Sequence, residues 1–292
     1  MDRFARKVGG RNNLLELVKL CLIAMVIVIA WQPFFRLFLL GVILLLKTPL
    51  LKSETQLGRE NVPKKGPGLV LTNHFTTGEE AGLLFYLLSR IQGLMQVYLL
   101  YKKELDGTNL KTMPFGLIAR IFLRGAGFRP THREQRDEVA SDWTAKRLTR
   151  GKSILAMPEG TSRHEGLILA KRKGLARLAM QGNYWVLPVA IPNGAHAISD
   201  GLSTWRSRFK TDKRHNIVVV YGKPFFLKDL GLNLHNDPTG EKATTEIMVR
   251  IGAMLPEHLR GFYASAVKEF LSGNASDVGY YRNLQTSLDH LG

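Results

Sequence analysis

The chain has 292 residues, which is long enough to bury the core of one large domain or two modest ones. Its 41 Lys and Arg residues exceed its 24 Asp and Glu residues, and the formal net charge is +17, so we expect an anionic partner: nucleic acid, an acidic membrane surface, or an acidic protein or phosphorylated molecule. The single cysteine, Cys21, excludes an internal disulfide and makes a cytosolic setting the default expectation.

The first predicted element is an apolar region over residues 14–51, the most hydrophobic part of the chain. It contains two uninterrupted apolar runs, Leu20–Trp31 and Leu37–Leu46, and each is shorter than the roughly 20 residues that a helix needs to cross a bilayer. Pro33 separates the runs, and basic residues flank both ends, which favours the cytoplasmic face for both. We therefore expect residues 1–51 to form a membrane-embedded helical hairpin, bent at Pro33, that enters one leaflet.

Other structures for this region are open from the sequence. A single tilted helix from about Leu14 to Phe35 would span the bilayer, and a soluble helical hairpin would bury the same residues. A cleaved signal peptide is the third alternative, although no small-residue cleavage site follows Trp31. In the re-entrant hairpin, Lys19 and Arg36 are expected to extend their charged ends to the lipid headgroups. The charge distribution predicts that the protein is attached to the cytoplasmic face of the inner membrane.

The remainder of the chain is predicted to hold a linker and one folded domain. Residues 52–68 are polar and contain glycine and proline, which indicates a linker. In residues 69–292, short apolar runs alternate with helical patterns and predict an α/β domain with a mixed, mostly buried sheet flanked by helices. The predicted strands are 68–72, 95–101, 152–158, 184–191 and 216–222. The predicted helices are 79–91, 134–150 and 171–181, followed by a helical C-terminal segment with a break at Pro256.

A histidine follows the first of these strands, in the sequence TNHFTTGEE. His74 is predicted to lie in a strand-to-helix loop, where α/β proteins place many of their ligands and reactive groups, and an imidazole can remove a proton from a hydroxyl near neutral pH. Glu79, in the first turn of the next helix, can orient the imidazole and stabilise its protonated form, with Glu80 as the alternative. Without other motifs, a loop histidine is more often a solvated bystander.

The sequence PEGTSR, residues 158–163, follows another predicted strand. Gly160 permits a turn with exposed amides, and Thr161 adds a hydroxyl. Arg163 adds a planar charged group, and this combination suits an anionic ligand such as phosphate. An ordinary strand-to-loop turn is the alternative for this segment.

These motifs resemble, in order and spacing, the glycerolipid acyltransferases typified by 1-acyl-glycerol-3-phosphate acyltransferase. TNHFTTGEE is similar to the family's first block, NHx4D, and GFRPTHRE (127–134) is similar to its second. PEGTSR resembles the third block, KRKGLARLA (171–179) the lysine-glycine helix that follows it, and VLPVAI (186–191) the fourth block. VYGKPF (220–225) is similar to a common late strand ending, so the resemblance covers residues 69–226. Two positions depart from the pattern, since Glu79 stands where the family has aspartate and Ser162 where it has arginine.

The resemblance implies that a fatty acyl chain moves from acyl-CoA or acyl carrier protein to a hydroxyl of a lysolipid. The expected acceptor is 1-acyl-glycerol-3-phosphate, and the expected product is phosphatidic acid. His74 is expected to be the general base, oriented by Glu79, with no acyl-enzyme. The expected substrate-binding residues are Asn73, Arg133, Glu159, Gly160, Thr161 and Arg163. No metal is expected, since the chain offers no HExxH motif and no paired CxxC motif, and the acyl donor is the only co-substrate, with no further cofactor.

The two departures keep other functions open. The enzyme could acylate a different lysolipid, such as an amino-acid-containing lipid or a glycolipid, or the chain could be a lipid-binding relative without activity. A nucleic-acid partner is not expected, because no recognisable reading module and no basic stretch interleaved with aromatic residues is present. The basic segments 170–177 and 206–215 are expected to contact acidic headgroups or the acidic carrier protein, or to be solvated faces.

Overall fold

The computed structural model describes residues 16, 18, 19, 31–45, 51–74, 79–102, 115–131, 137–160, 166–193 and 215–289. The strands are β1 (Leu51–Leu57), β2 (Gly68–Thr72), β3 (Val97–Lys102), β4 (Arg129–Thr131), β5 (Ser153–Ala156), β6 (Trp185–Ala190) and β7 (His215–Tyr221). The helices are α1 (31–45), α2 (Glu79–Gln92), α3 (Phe115–Gly125), α4 (Glu138–Leu148), α5 (Lys173–Gly182), α6 (Glu241–Gly252), α7 (Ala264–Ser272) and α8 (Val278–Asp289). Short 3-10 turns lie at Arg59–Asn61, Leu227–Leu230, Glu257–Leu259 and Gly261–Tyr263.

Within the described parts of the chain, the strands form one seven-stranded sheet in the order β1-β7-β6-β2-β5-β3-β4. Neighbouring strands are parallel except β6 and β7, which are antiparallel. The central strands β2, β5 and β6 are buried along their whole length, as expected for strands that helices cover on both faces. The prediction of a mixed, mostly buried sheet flanked by helices is confirmed.

Alternating side chains of the strands contribute to two cores, one on each face of the sheet. Leu69 and Leu71 of β2 belong to the core that is covered by α4 to α8. Val70, between them, belongs to the core that is covered by α1, α2 and α3. The two faces of the sheet therefore carry separate sets of helices.

The domain begins earlier in the sequence than predicted. The first part of the predicted linker over residues 52–68 lies in β1, which pairs in parallel with β7, so the linker prediction is wrong there. The sequence of β1, LKSETQL, is polar because an edge strand has a strand neighbour on one side alone and tolerates solvated side chains. A search for apolar runs does not detect such a strand.

α1 packs on the rest of the domain through aromatic side chains. Phe35 and Phe38 contact Phe122 of α3 with ring centroids 5.2 and 4.4 Å apart. The helix continues through Pro33, where the sequence predicts a bend, and most of the first predicted helix lies outside the described residues. No helix in the described part of the chain is both long and apolar enough to cross a bilayer.

The prediction that Arg36 reaches the lipid headgroups is wrong. Its side chain is fully buried, and its guanidinium donates hydrogen bonds to the carbonyls of Leu94, Val97 and Ala126. The same group lies 4.2 Å from the centroid of the Tyr98 ring. Desolvation lowers the pKa of Arg36 to about 10, which leaves the guanidinium charged at neutral pH. Arg36 therefore ties α1 to the end of α3 and to β3 instead of to lipid.

α1 and α3 also expose large hydrophobic side chains, which we call the apolar face. These side chains are between 45% and 73% exposed. They are Trp31, Phe34, Leu37, Phe38, Leu44 and Leu45 of α1 and Ile121 of α3. Exposed apolar patches of this kind mark interaction surfaces more often than scattered single residues do.

Candidate active site

His74 lies at the carboxyl end of the sheet, in the strand-to-helix loop that the sequence predicts. β2 ends at Thr72 and α2 begins at Glu79. The residue is 3% exposed, and it lines a cavity of about 790 Å³. In sheets with parallel strands this edge is where ligands bind, since the loops that follow neighbouring strands meet there.

Glu159, which follows β5, is fully buried beside His74. Its Oε1 accepts a hydrogen bond from the backbone N–H of His74 at 2.9 Å, and its Oε2 accepts one from the backbone N–H of Ile168 at 3.0 Å. A buried carboxylate is stable when both of its oxygens are satisfied in this way. Glu159 therefore fixes the loop that carries His74 relative to the loop after β5.

The side chain of Asn73 also ties two loops together. It is 1% exposed, and its Oδ1 accepts a hydrogen bond from the backbone N–H of Ile191 at 2.9 Å. Its Nδ2 lies 3.5 Å from the carbonyl oxygen of the same residue. Asn73 thus joins the end of β2 to the residue after β6, and it does not belong to the residues that line the cavity around His74.

Gly160 forms a turn that leaves room for an arginine. Its φ is +73°, a left-handed conformation that glycine adopts without strain. A Cβ atom at this position would lie 3.1 Å from Nε of Arg172. Arg172 returns to the turn because its backbone N–H donates to the carbonyl of Pro158, and its Nη2 donates to Oγ1 of Thr131 at 3.2 Å. The arginine therefore lies against the turn that follows β5.

The cavity joins His74 and Glu159 to a group of basic side chains. The ends of β3, β4 and β5 form one part of its lining, and α4 and α5 form another. The basic lining residues are Lys171, Arg172, Lys173 and Arg177. The segment 170–177, for which the sequence suggests a surface contact or a solvated face, thus contributes to the lining of the cavity that His74 lines. The sequence signals for these residues are the charge of KRKGLAR and the resemblance of KRKGLARLA to the helix after the third block.

The structure brings three of the predicted site residues together: His74, Glu159 and Gly160 all line the cavity. Glu79 is the first residue of α2, as predicted, and its side chain is outside what the structure describes. The predictions for Arg133, Thr161 and Arg163 fall on positions outside the described residues. Their roles, and the expectation that no metal is needed, stay predictions.

A histidine beside a cavity with basic side chains suits a reaction in which a hydroxyl loses a proton and an anionic group must be held. The imidazole can accept the proton, and guanidinium and ammonium groups can bind phosphate or carboxylate. The cavity is also large enough to hold a small-molecule substrate, because such sites commonly measure about 300–1,000 Å³. The cavity therefore combines a group that can accept a proton with groups that can hold an anion.

Residues 55–192 match the model of the protein family described as Acyltransferase. This match contains His74, Glu159 and Gly160, and it begins within β1. Over these residues the chain is similar to the acyl-transferring enzymes, in agreement with the acyltransferase resemblance of its motifs. The glycerolipid branch of that family stays a prediction.

The fold is similar to a crystal structure of the 1-acyl-sn-glycerophosphate (LPA) acyltransferase PlsC from Thermotoga maritima. The sequences are 18% identical, and the superposition covers 91% of this chain and 98% of the other with a TM-score of 0.49. The similarity to the acyltransferases over residues 55–192 comes from the sequence match alone. The comparison with curated proteins gives no match.

Proposed function

We propose that the protein transfers a fatty acyl group from acyl-CoA or acyl carrier protein to the free hydroxyl of 1-acyl-glycerol-3-phosphate, giving phosphatidic acid. The family match supports acyl transfer. The observation that carries the choice of an anionic acceptor is that His74 and four basic side chains line one cavity. A phosphate-bearing lysolipid combines the hydroxyl that a histidine can deprotonate with the charge that basic residues attract.

In the proposed reaction the imidazole of His74 takes the hydroxyl proton as the hydroxyl oxygen attacks the thioester carbonyl. A tetrahedral intermediate forms with negative charge on the former carbonyl oxygen. It collapses when the carbon–sulfur bond breaks, and the leaving thiolate takes the proton from the imidazolium. Atoms and charges balance without an acyl-enzyme, and Glu79 supports the imidazolium while it exists.

Glu159 has a positioning role in this proposal. Its carboxylate is held by two backbone N–H groups, one of which belongs to His74. Both of its oxygens accept backbone hydrogen bonds that hold the loops together, which favours a positioning role over that of a second base. We therefore assign Glu159 to holding the loop of His74 in place.

The apolar face is proposed to contact the membrane, because both the acyl chain and the acceptor reside in lipid. Six exposed side chains of α1 and Ile121 of α3 supply the apolar area. The net charge of +17 adds attraction to a leaflet that contains acidic lipids, which favours the cytoplasmic face of the inner membrane. α1 would lie in the interface, as amphipathic helices do.

The experiment that tests the proposed function is an acyl transfer assay with purified protein in detergent. Acyl-CoA and acyl carrier protein are offered separately with a panel of lysolipids, and products are identified by mass spectrometry. We expect phosphatidic acid from 1-acyl-glycerol-3-phosphate, and His74→Ala should reduce its formation about 100- to 10,000-fold, the usual contribution of a general base. His258→Ala, at an exposed histidine, is the matched control. Transfer to a different acceptor, or undiminished transfer by His74→Ala, would contradict the proposal.

A further inference from the structure

The basic side chains of the cavity are concentrated at one end of α5. Lys171 and Arg172 directly precede the helix, and Lys173 and Arg177 lie one turn apart within it. All four line the cavity that contains His74. Basic groups this close together are unfavourable unless an anion or carboxylate balances them.

The lining contains two carboxylates, those of Asp137 and Glu159, against four basic side chains. Oδ1 of Asp137 accepts a hydrogen bond from the backbone N–H of Ala140 at 2.8 Å and caps α4. Glu159 accepts the two backbone hydrogen bonds that fix the loop of His74. Lys173 pairs with Glu241, which is exposed, at 2.6 Å. The lining therefore has more positive charge than its own carboxylates carry.

Arg172 is the basic residue that the structure fixes most firmly beside the turn after β5. Its backbone N–H donates to the carbonyl of Pro158, its guanidinium donates to the hydroxyl of Thr131, and its side chain lies against Gly160. Thr131 is itself 7% exposed, and its hydroxyl lies 3.3 Å from the carbonyl of Tyr101. These contacts orient a planar guanidinium at the cavity lining, and such a group binds phosphate oxygens in pairs.

We propose that Arg172, supported by Lys171 and Arg177, binds a phosphate group of a substrate in this cavity. The inference rests on the proposed function and adds residues outside PEGTSR to those that the sequence assigns to substrate binding. Two substrates can supply the group: the acceptor carries a phosphate monoester, and the donor carries the phosphates of coenzyme A or of phosphopantetheine. The shared chemistry is a phosphate held near His74.

The test measures binding to the purified full-length protein by calorimetry, with glycerol 3-phosphate and coenzyme A as separate probes. Arg172→Gln should weaken the binding of at least one probe about tenfold or more, since a charge-assisted hydrogen bond is lost. Arg172→Lys, which keeps the charge, should lose less. Lys268→Gln, at an exposed residue of α7, is the control and should bind as the wild type does. Arg177→Gln provides a second variant that should weaken the same probe if Arg172→Gln does not fold.

The outcome for each probe identifies the source of the phosphate. A loss for glycerol 3-phosphate alone assigns Arg172 to the acceptor, a loss for coenzyme A alone assigns it to the donor, and a loss for both assigns it to a shared site. The inference is overturned if folded Arg172→Gln, or Arg177→Gln in its place, binds both probes within about twofold of the wild type, or if the wild type binds neither.

Binding and transfer are measured on the same samples, so that the two proposals fail separately. A wild type that binds a probe through Arg172 but transfers no acyl group would remove the proposed function and leave the phosphate site. A wild type that transfers acyl groups with unchanged binding in Arg172→Gln would keep the function and remove the site.

Discussion

The apolar face and the cavity lie on different helices and differ in what they present to their partners. The apolar face exposes seven large hydrophobic side chains on α1 and α3, while Arg36 of α1 is buried and donates to backbone carbonyls. The cavity instead is lined by His74 and by basic side chains at the start of α5 and directly before it. The difference indicates a division of tasks: one surface for lipid, and one site for the charged and reacting groups.

Both regions depend on a buried charged side chain that bonds the backbone. Arg36 donates to three carbonyls near α1, and Glu159 accepts from two amides near His74. All five of these hydrogen bonds are made with backbone groups. A buried charge of this kind holds two distant segments in one geometry, because its loss leaves several backbone groups unsatisfied.

The largest expected effect on stability is that of Arg36→Met. The variant keeps an apolar stem but leaves the carbonyls of Leu94, Val97 and Ala126 without their donor. We expect the free energy of unfolding to fall by about 3 kcal/mol, because each buried group that loses its partner is costly. Urea unfolding followed by circular dichroism measures it.

Arg150→Met, at an exposed arginine, is the control for this variant and should change stability by less than about 0.5 kcal/mol. If Arg36→Met were as stable as this control, α1 would not be an integral part of the domain. The apolar face would then be a separate attachment, and the comparison of two regions within one domain would be wrong.

The next largest effect is expected for Glu159→Gln, a change in the cavity that should lower kcat. An amide replaces one carboxylate oxygen with an NH2 group, which opposes the N–H of His74 or of Ile168. We expect kcat to fall about 100-fold, as the charge-assisted bond is lost and the imidazole is displaced. The assay is acyl transfer at saturating substrate.

Vesicle binding by Glu159→Gln should be unchanged, since Glu159 does not belong to the apolar face. Glu257→Gln, at an exposed glutamate, controls for the change of charge. A variant with normal kcat would show that the hydrogen bond to His74 does not position the reacting group.

The sequence predicts strands and helices whose apolar residues follow a regular pattern or form a continuous run. It does not predict contacts between polar groups that lie far apart along the chain. β2 was predicted at its observed bounds because GLVLT is fully buried between β5 and β6. β1 was missed because its polar residues suit a sheet edge. Arg36 was assigned to headgroups because its partners are 58 to 90 residues away.

For the candidate site, too, the sequence predicts the local pattern and not the contacts between distant residues. The position of His74 after a buried strand follows from a local pattern, and the structure agrees with it. The bonds of Glu159 span 85 residues to His74, and the contact of Arg172 with Thr131 spans 41. No periodicity within the sequence reports such pairs, because the sheet brings them together only when β4, β5 and their loops have folded.

The smallest expected effect concerns Tyr280, which lies in α8 and lines neither region. Its hydroxyl donates to the carbonyl of Tyr221 and accepts from Asn61 Nδ2 at 2.8 Å. We expect Tyr280→Phe to lower the free energy of unfolding by about 1 kcal/mol, the usual value of a hydrogen bond, without changing transfer or vesicle binding. An effect on either activity would mean that the two regions are not independent of the C-terminal helix.

Tyr280 also predicts a pH dependence of stability. Burial raises its pKa to about 12, above the value of 10 for the unfolded chain, so the neutral phenol is favoured in the folded state. Its contribution is therefore complete below pH 10 and is lost as the pH rises from 10 to 12. Between pH 10 and 12 the free energy of unfolding should fall less steeply for Tyr280→Phe than for the wild type. Equal slopes for the two proteins would contradict the assignment.

The division between the two regions is tested most directly by one measurement. Transfer rates are compared for a soluble short-chain lysophosphatidate and for the long-chain form in vesicles, in the wild type, His74→Ala and Leu37→Asp. Leu230→Asp, outside the apolar face, is the control. We predict that His74→Ala loses transfer to both acceptors, while Leu37→Asp loses about tenfold or more with vesicles alone. The division of tasks would be contradicted if Leu37→Asp lost transfer equally with both acceptors, or if His74→Ala kept its transfer activity.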